Sequence, residues 1–494
     1  MKFPAFIFLL ITTLSLSAQR ELTNFPLPNR EFRVLPIHTV RGEIGNLMLL
    51  MDTGRSFYLT YLDKDLALLD QLEIPKTDGS LWDISISGVS NYPNELLVYC
   101  YAHEFEKGDY VASINKIVQT VELKKLDLDL PKSVRLIKAF TYGDQFIRLY
   151  IDYKNEALLL RVFEREKLVH SESYPMPYPE LVDELKRSAV IGIPRMLEDR
   201  LNSVAIGARK QKLYTLDHKV ILSVEDEVEG VTRLFTFHTN RWEMNEETYV
   251  YPDFNASEGV VQINSVIFDD MLYQGMVDGN GLTLSQIDMA EHQIMNQVQF
   301  EDDDQLKNYL GSFSRKSFTD SMGNGVLNVQ KQHTLMERLG KSLSLSIYLN
   351  PDDQPQLTIG SHDYLGYYEQ RSFEIASATF KGPGFFLGGE NFYLGGGKGW
   401  SVGFDPYPFF DFATDLAFLS GDNKYFYGET LIDLGNLESL GAVTGQTSYD
   451  KAIQRYLSFP FDFEGGTGIT FFQWEGETVL GFLHKKEYRL LAFD

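Results

Sequence analysis

The chain has 494 residues, and its 69 acidic residues outnumber its 45 basic ones, giving a formal net charge of −24. That balance excludes nucleic acid as a partner, because phosphates need a basic footprint, and it disfavours anionic membrane surfaces. The single cysteine, Cys100, excludes an intrachain disulfide, and a chain of this length can bury a core without one.

The first residues have the pattern of an export signal. Lys2 precedes an apolar run from Phe3 to Leu16, and small residues lead up to Ala18. We therefore interpret residues 1–18 as a signal peptide and expect cleavage before Gln19. A membrane anchor is the alternative, but the run is shorter than the roughly 20 apolar residues that a span needs. The mature protein is expected to be soluble, secreted or periplasmic, and without a membrane span.

Residues 19–300 repeat a pattern of short strands joined by polar turns. Two consecutive copies read HKVILSVED, TRLFTF and WEMNEETYVYP, then INSVIFDDMLYQGMVD, LTLSQI and IMNQVQF. Runs rich in Val, Ile, Phe, Tyr and Thr between short polar turns are typical of antiparallel hairpins. The same pattern recurs in five copies along residues 19–300. In each copy the polar turn before the last strand is the reference point, and these turns begin at Asp63, Asn115, Glu164, His238 and Asp288.

The spacing of these turns predicts the fold. The intervals are 52, 49, 74 and 50 residues, and a repeat near 50 residues with about four strands is typical of a propeller blade. We predict an all-β fold, a β-propeller of six to eight four-stranded blades. The long interval holds a helical pattern, which makes residues 179–201 a helical insertion. Five residues should occupy equivalent buried positions, one per blade: Leu59, Val111, Leu160, Leu234 and Leu284.

The pattern weakens after Phe300. Residues 301–340 are polar with helical pieces and are interpreted as a helical insertion or linker. Strands return over 341–494, which we expect to complete the propeller. The alternative is two separate β-domains, with five units over 19–300 and a C-terminal domain. Ring closure would leave few exposed strand edges, and we expect an N-terminal strand near Glu31–Val40 to pair with the last strands.

One short motif suggests catalysis. Asp52-Thr53-Gly54 follows an apolar run and resembles the active-site loop of aspartic proteases. The resemblance implies two carboxylates that share a proton, yet no second Asp-Thr-Gly or Asp-Ser-Gly occurs. Arg55 stands where that family has a small residue, and the triplet falls at a predicted turn. We predict that Asp52 is not catalytic. The nine histidines are scattered without metal-binding spacing, so no catalytic residue, metal or cofactor is predicted.

The stretch GPGFFLGGENFYLGGGKGW combines glycine with aromatic residues. Its spacing fits neither a P-loop nor a dinucleotide-binding turn. Aromatic rings here could stack on a ligand, and the alternative is that they fill ordinary β-structure. The candidate binding residues are Phe385, Phe386, Phe392, Tyr393 and Trp400.

The sequence leaves two function classes open. The first is an exported binding or scaffolding protein whose ligand is a protein, a peptide or a carbohydrate. The alternative is an extracytoplasmic hydrolase or lyase whose active site is assembled from several blades, because propeller enzymes gather side chains that are distant in the chain.

Overall fold

The structure, a computed structural model, describes most of the chain. The described residues are 19–26, 37–41, 46–52, 55–76, 84–102, 108–126, 128–191, 193–196, 204–254, 262–311, 313–317, 335–350, 353–362, 424–443, 470–474, 477–484 and 487–493.

These residues form seven sheets, numbered here as blades in chain order. Blade 1 has β2 (Ile37–Arg41), β3 (Leu47–Asp52), β4 (Ser56–Leu62) and β5 (Leu68–Pro75). Blade 2 has β6 (Ile84–Asn91), β7 (Glu95–Ala102), β8 (Gly108–Asn115) and β9 (Thr120–Lys125). Blade 3 has β10 (Val134–Tyr142), β11 (Gln145–Asp152), β12 (Ala157–Glu164) and β13 (Lys167–Pro175).

The next two blades follow the same order. Blade 4 has β15 (Gln211–Leu216), β16 (Lys219–Asp226), β17 (Val231–His238) and β18 (Glu243–Val250), with the short β14 (Arg195–Met196) pairing parallel to β15. Blade 5 has β19 (Gln262–Phe268), β20 (Met271–Asp278), β21 (Gly281–Asp288) and β22 (Gln293–Phe300).

Blade 6 has a divided outer edge. Its strands are β24 (Ser344–Leu349), β25 (Pro355–His362) and β26 (Lys424–Ile432), and both β23 (Phe313–Ser317) and β27 (Ser439–Ala442) pair with β26. The described residues also form four helices, which are α1 (Pro179–Ile191), α2 (Val204–Gly207), α3 (Asp303–Leu310) and α4 (Leu335–Leu339).

Blade 7 joins the two ends of the described chain. It contains β28 (Thr470–Trp474), β29 (Glu477–His484) and β30 (Glu487–Phe493), and its fourth strand is β1 (Gln19–Pro26), antiparallel to β30. An N-terminal strand does pair with the last strand as predicted, but its position near Glu31–Val40 is wrong, because the strand is Gln19–Pro26. Strand β2 pairs instead with β3 as the first strand of blade 1. Closure in this way satisfies the free edge of β30 with a strand distant in sequence.

The blades are arranged around an axis. First strands of neighbouring blades contact one another, as β2 does with β6 and β28, and β19 does with β24. Fourth strands are largely exposed along the rim. The predicted all-β propeller is confirmed, and the described strands give it seven blades.

Consecutive blades pack through apolar clusters, which is where the core lies. Blade 7 packs on blade 1, and further clusters join blades 1 and 2, 2 and 3, and 3 and 4. A large cluster joins blades 4, 5 and 6. The five predicted equivalent residues are each the fourth residue of the third strand, and all are at most 6 % exposed: Leu59, Val111, Leu160, Leu234 and Leu284.

The predicted turns lie between the third and fourth strands. The side-chain oxygens of Asp63, Asn115 and Asp288 each accept hydrogen bonds from two backbone N–H groups in the turn that follows. A residue with left-handed backbone occurs in the same turn of six blades: Leu66, Gln119, Arg165, Trp242, His292 and Leu437. Asx side chains stabilise such turns by replacing a backbone hydrogen bond, which is why the repeat is visible in sequence.

Candidate functional site

The connections divide into two faces of the ring. The turn face, defined by the links between first and second strands and between third and fourth strands, carries only short turns, the longest being residues 433–438. The loop face is defined by the remaining links, and every long connection starts and ends there. These are residues 176–210, 301–343, 363–423 and 443–469. Long loops on a rigid scaffold commonly hold binding residues, so the loop face is the candidate functional surface.

The described parts of the connection 176–210 contact blades 3, 4 and 6. Helix α1 packs on β10 and β11 of blade 3, with Leu181, Val182 and Leu185 in the cluster between blades 3 and 4. Strand β14 then adds to the axial edge of β15 in blade 4. Helix α2 packs on β24 and β25 of blade 6, where Ser344 Oγ donates a 2.7 Å hydrogen bond to the Val204 carbonyl.

Helix α2 lies close against blade 6. Gly207 is so near that an added Cβ would meet Ser344 Oγ at 2.5 Å. The described parts of the insertion therefore brace blades 3, 4 and 6 against one another.

A polar network is buried between blades 4 and 5. Glu225 Oε2 accepts hydrogen bonds from Thr232 Oγ1 at 2.9 Å and from the Tyr251 hydroxyl at 2.8 Å. Its other oxygen accepts from Ser265 Oγ. All four residues are at most 1 % exposed. A buried carboxylate is tolerated when several donors satisfy it, so the network holds the two blades together.

Lys212 completes this network. Its amine donates hydrogen bonds to Asn264 Oδ1 and to the Ser265 carbonyl, and the residue is 1 % exposed. Burial lowers the pKa of Lys212 to about 7, although the Glu225 carboxylate raises it in part. A neutral amine has two N–H groups and can make both hydrogen bonds. Such a pKa is typical of catalytic lysines, but a substrate cannot reach a side chain this deeply buried.

Asp52 of the Asp-Thr-Gly triplet and the single cysteine are also inaccessible. Asp52 is 3 % exposed and forms a 2.5 Å ion pair with Lys76, which is itself buried and lies 4.4 Å from the centre of the Phe57 ring. Cys100 is buried, and burial raises the pKa of its thiol to about 12. Asp52 therefore has a structural partner, and the Cys100 thiol stays protonated.

The predicted binding residues Phe385, Phe386, Phe392, Tyr393 and Trp400 lie outside the described residues. Their connection leaves β25 after His362 and returns at Lys424, both at the loop face. Within the described ranges, no group of three His, Cys, Asp or Glu side chains could hold a metal ion. None of the described helices is long and apolar enough to cross a membrane.

No protein-family model matches the chain, and no curated protein matches it. Among solved structures, Hsv2 from Kluyveromyces lactis is similar at 9 % identity, covering 66 % of this chain and 70 % of that one with a TM-score of 0.29. A protein of unknown function from Bacteroides caccae has 7 % identity, covers 66 % and 82 %, and has a TM-score of 0.23. A quinohemoprotein alcohol dehydrogenase from Pseudomonas putida has 10 % identity, covers 70 % and 53 %, and has a TM-score of 0.29.

Proposed function

We propose that the protein is an exported β-propeller that binds a protein, peptide or carbohydrate ligand through its loop face. The observation that carries the proposal is that the strands joined by every long connection start and end at that face of the ring. A braced ring presents such loops at low conformational cost, because the scaffold is already ordered before the ligand arrives. The alternative of a hydrolase or lyase gains no support from Lys212 or Asp52, whose side chains are buried in structural contacts.

The aromatic residues of the 363–423 connection are the proposed contact residues. Both described ends of this connection, at His362 and Lys424, lie at the loop face. Aromatic faces stack on sugar rings and on apolar peptide side chains.

The binding proposal is tested by calorimetry with panels of oligosaccharides and peptides. A ligand that binds the wild-type chain should lose about fivefold in affinity with Trp400→Ala or Phe392→Ala, because stacking on a sugar ring or an apolar side chain contributes on the order of 1 kcal/mol per ring. The matched control is Ile117→Ala, a side chain that is 67 % exposed on the turn face. Equal losses in the control and the aromatic variants would count against the loop face.

Export is tested separately. Protein recovered from the native host should begin at Gln19 when its intact mass is measured, because cleavage is expected after Ala18. An intact Met1 in a soluble cytoplasmic fraction would contradict export.

A further inference from the structure

Two arginines lie directly opposite each other in blade 3, and we call them the arginine pair. Arg148 of β11 is in register with Arg161 of β12, so both side chains project from the same face of the sheet. That face lies against blade 2, because Phe146 and Phe163 on it belong to the cluster between blades 2 and 3. Like charges opposite each other on adjacent strands repel, and guanidinium groups stay charged at any ordinary pH. The arginine pair therefore needs negative charge close by.

The described residues supply the arginine pair with one carboxylate. Arg148 forms an ion pair with Asp109, the second residue of β8 in blade 2. Arg161 donates a hydrogen bond to the carbonyl of Leu128, in the connection that follows β9, and it has no carboxylate partner within the described ranges. One positive charge of the pair thus stays uncompensated by described residues, in a chain whose formal net charge is −24.

Three hydrogen-bond donors at the arginine pair lack a partner. The Nε–H groups of Arg148 and Arg161 and the hydroxyl of Tyr150 are buried without an acceptor among the described residues. The ring centre of Tyr150 lies 5.5 Å from the guanidinium carbon of Arg148. Burial raises the pKa of Tyr150 to about 12, so its hydroxyl stays a donor at neutral pH. Buried donors cost free energy until an acceptor reaches them.

The cleft that holds the arginine pair is open to solvent, unlike the sealed network between blades 4 and 5. The side chain of Asp109 is 17 % exposed, and Arg161 and Leu159 are partly exposed. On the loop-face side of the pair, Leu136, Tyr150 and Leu159 lie side by side on three strands. A molecule that enters from the loop face would therefore contact these largely apolar side chains and then the arginine pair.

We propose that the arginine pair is a subsite for the carboxylate of a small organic anion, whose apolar part contacts Leu136 and Leu159. The planar guanidinium fork matches the two oxygens of a carboxylate. Because Asp109 already neutralises Arg148, the incoming carboxylate would accept hydrogen bonds from Arg161 and from the hydroxyl of the neighbouring tyrosine, and it would neutralise the remaining charge. This subsite lies between blades 2 and 3 and does not depend on the ligand site proposed for the connection of blade 6.

Calorimetry of the purified protein at pH 7 tests the subsite with hexanoate, and with hexanamide and sulfate at equal ionic strength. Wild-type protein should bind one hexanoate and should not bind the neutral hexanamide. Tyr150→Phe should weaken hexanoate binding by about tenfold without lowering the thermal midpoint of the free protein, because the deleted hydroxyl has no described partner there. Arg161→Met should weaken hexanoate binding by at least as much, because it removes the uncompensated charge.

Two matched controls make the same kinds of change elsewhere. Tyr488→Phe removes another buried hydroxyl without a described partner, in blade 7, and Arg135→Met removes an exposed arginine of blade 3. Both should bind hexanoate like the wild type.

Four results would each overturn the inference: no binding of hexanoate to the wild type, equal binding of hexanamide, tighter binding of sulfate, or the same affinity in the subsite variants as in the controls. Trp400→Ala should leave hexanoate binding unchanged. The subsite and the proposed loop-face ligand site can therefore fail separately.

Discussion

Replacing Lys212 by Met should remove a specific pH dependence of stability. In the folded chain the pKa of Lys212 is about 7, against an ordinary value of 10.5. The folded state therefore binds fewer protons than the unfolded state between these two values. Because stability rises with pH wherever the unfolded state binds more protons, Lys212 makes the wild type more stable as the pH rises from about 7 towards 10.5.

The expected size of this pH effect follows from the difference between the folded and ordinary pKa values of Lys212. The slope approaches about 1.4 kcal/mol per pH unit, so the free energy of unfolding should gain roughly 3 kcal/mol between pH 7 and pH 9.5. Below pH 7 the lysine is protonated in both states, and its contribution no longer changes. Above about pH 10 the buried tyrosines act in the opposite direction, because burial raises the pKa of groups such as Tyr251 and Tyr488.

The assay is urea unfolding of the wild type and Lys212→Met, followed by circular dichroism at fixed pH values from 6 to 9.5. The variant loses the hydrogen bonds to Asn264 and Ser265, which lowers its stability by an amount that does not depend on pH. The quantity interpreted is the difference in the free energy of unfolding between the wild type and Lys212→Met at each pH. The contributions of the other titrating groups cancel in this difference. A difference that stays constant over this range would show that Lys212 titrates alike in both states and would refute the reasoning.

Three further changes test other parts of the fold. Leu234→Asp places a charge in a fully buried position between blades and should prevent folding, seen as loss of soluble protein with native circular dichroism. Asp52→Asn should leave ligand binding unchanged but lower the free energy of unfolding by about 3 kcal/mol, because Lys76 remains buried without its carboxylate. Gly281→Ala should lower the thermal midpoint, since an added Cβ would meet the Phe300 carbonyl oxygen at 2.0 Å in backbone with φ of +123°.

Each of these changes has a matched control. Val250→Asp lies in the same blade as Leu234 but is 64 % exposed, and it should fold. Asp65→Asn is on an exposed turn of blade 1 and should leave stability within about 0.5 kcal/mol. Gly143→Ala meets nothing within 4 Å and should cost less than Gly281→Ala. Equal effects of a variant and its control would contradict the structural reason given for it.

The ordering of local elements was predictable from the sequence. Strands and short turns can be predicted from local sequence, because their apolar runs and turn residues lie within a few positions of one another. The side chains of Asp63, Asn115 and Asp288 stabilise their turns by accepting hydrogen bonds from the backbone N–H groups that follow. The burial of Leu160 and Leu234 follows because the third strand of a blade packs between neighbours on both faces.

Elements at the rim were harder to predict. Strand β1 reads QRELTNFP, a polar sequence in which Phe25 is the buried apolar residue. The fourth strand of a blade lies exposed at the rim and needs few apolar residues, so the sequence of β1 does not mark it as a strand. Its role as the fourth strand of blade 7 is seen only from its pairing with β30. The sixth turn at Asp433 was missed for a related reason, because residues 363–423 separate the second and third strands of blade 6 and break the repeat.

The sequence by itself determined the repeating hairpins, the all-β class and the turn chemistry, because each depends on residues within one blade. Tertiary structure alone decided which surfaces meet. Lys212 and Glu225 occur in ordinary-looking strands, and nothing in either strand shows that both side chains are buried against blade 5. The contacts of the 176–210 insertion with blade 6 and the closure of the ring by β1 likewise arise when blades distant in sequence assemble around one axis. A local sequence pattern cannot encode contacts of that range.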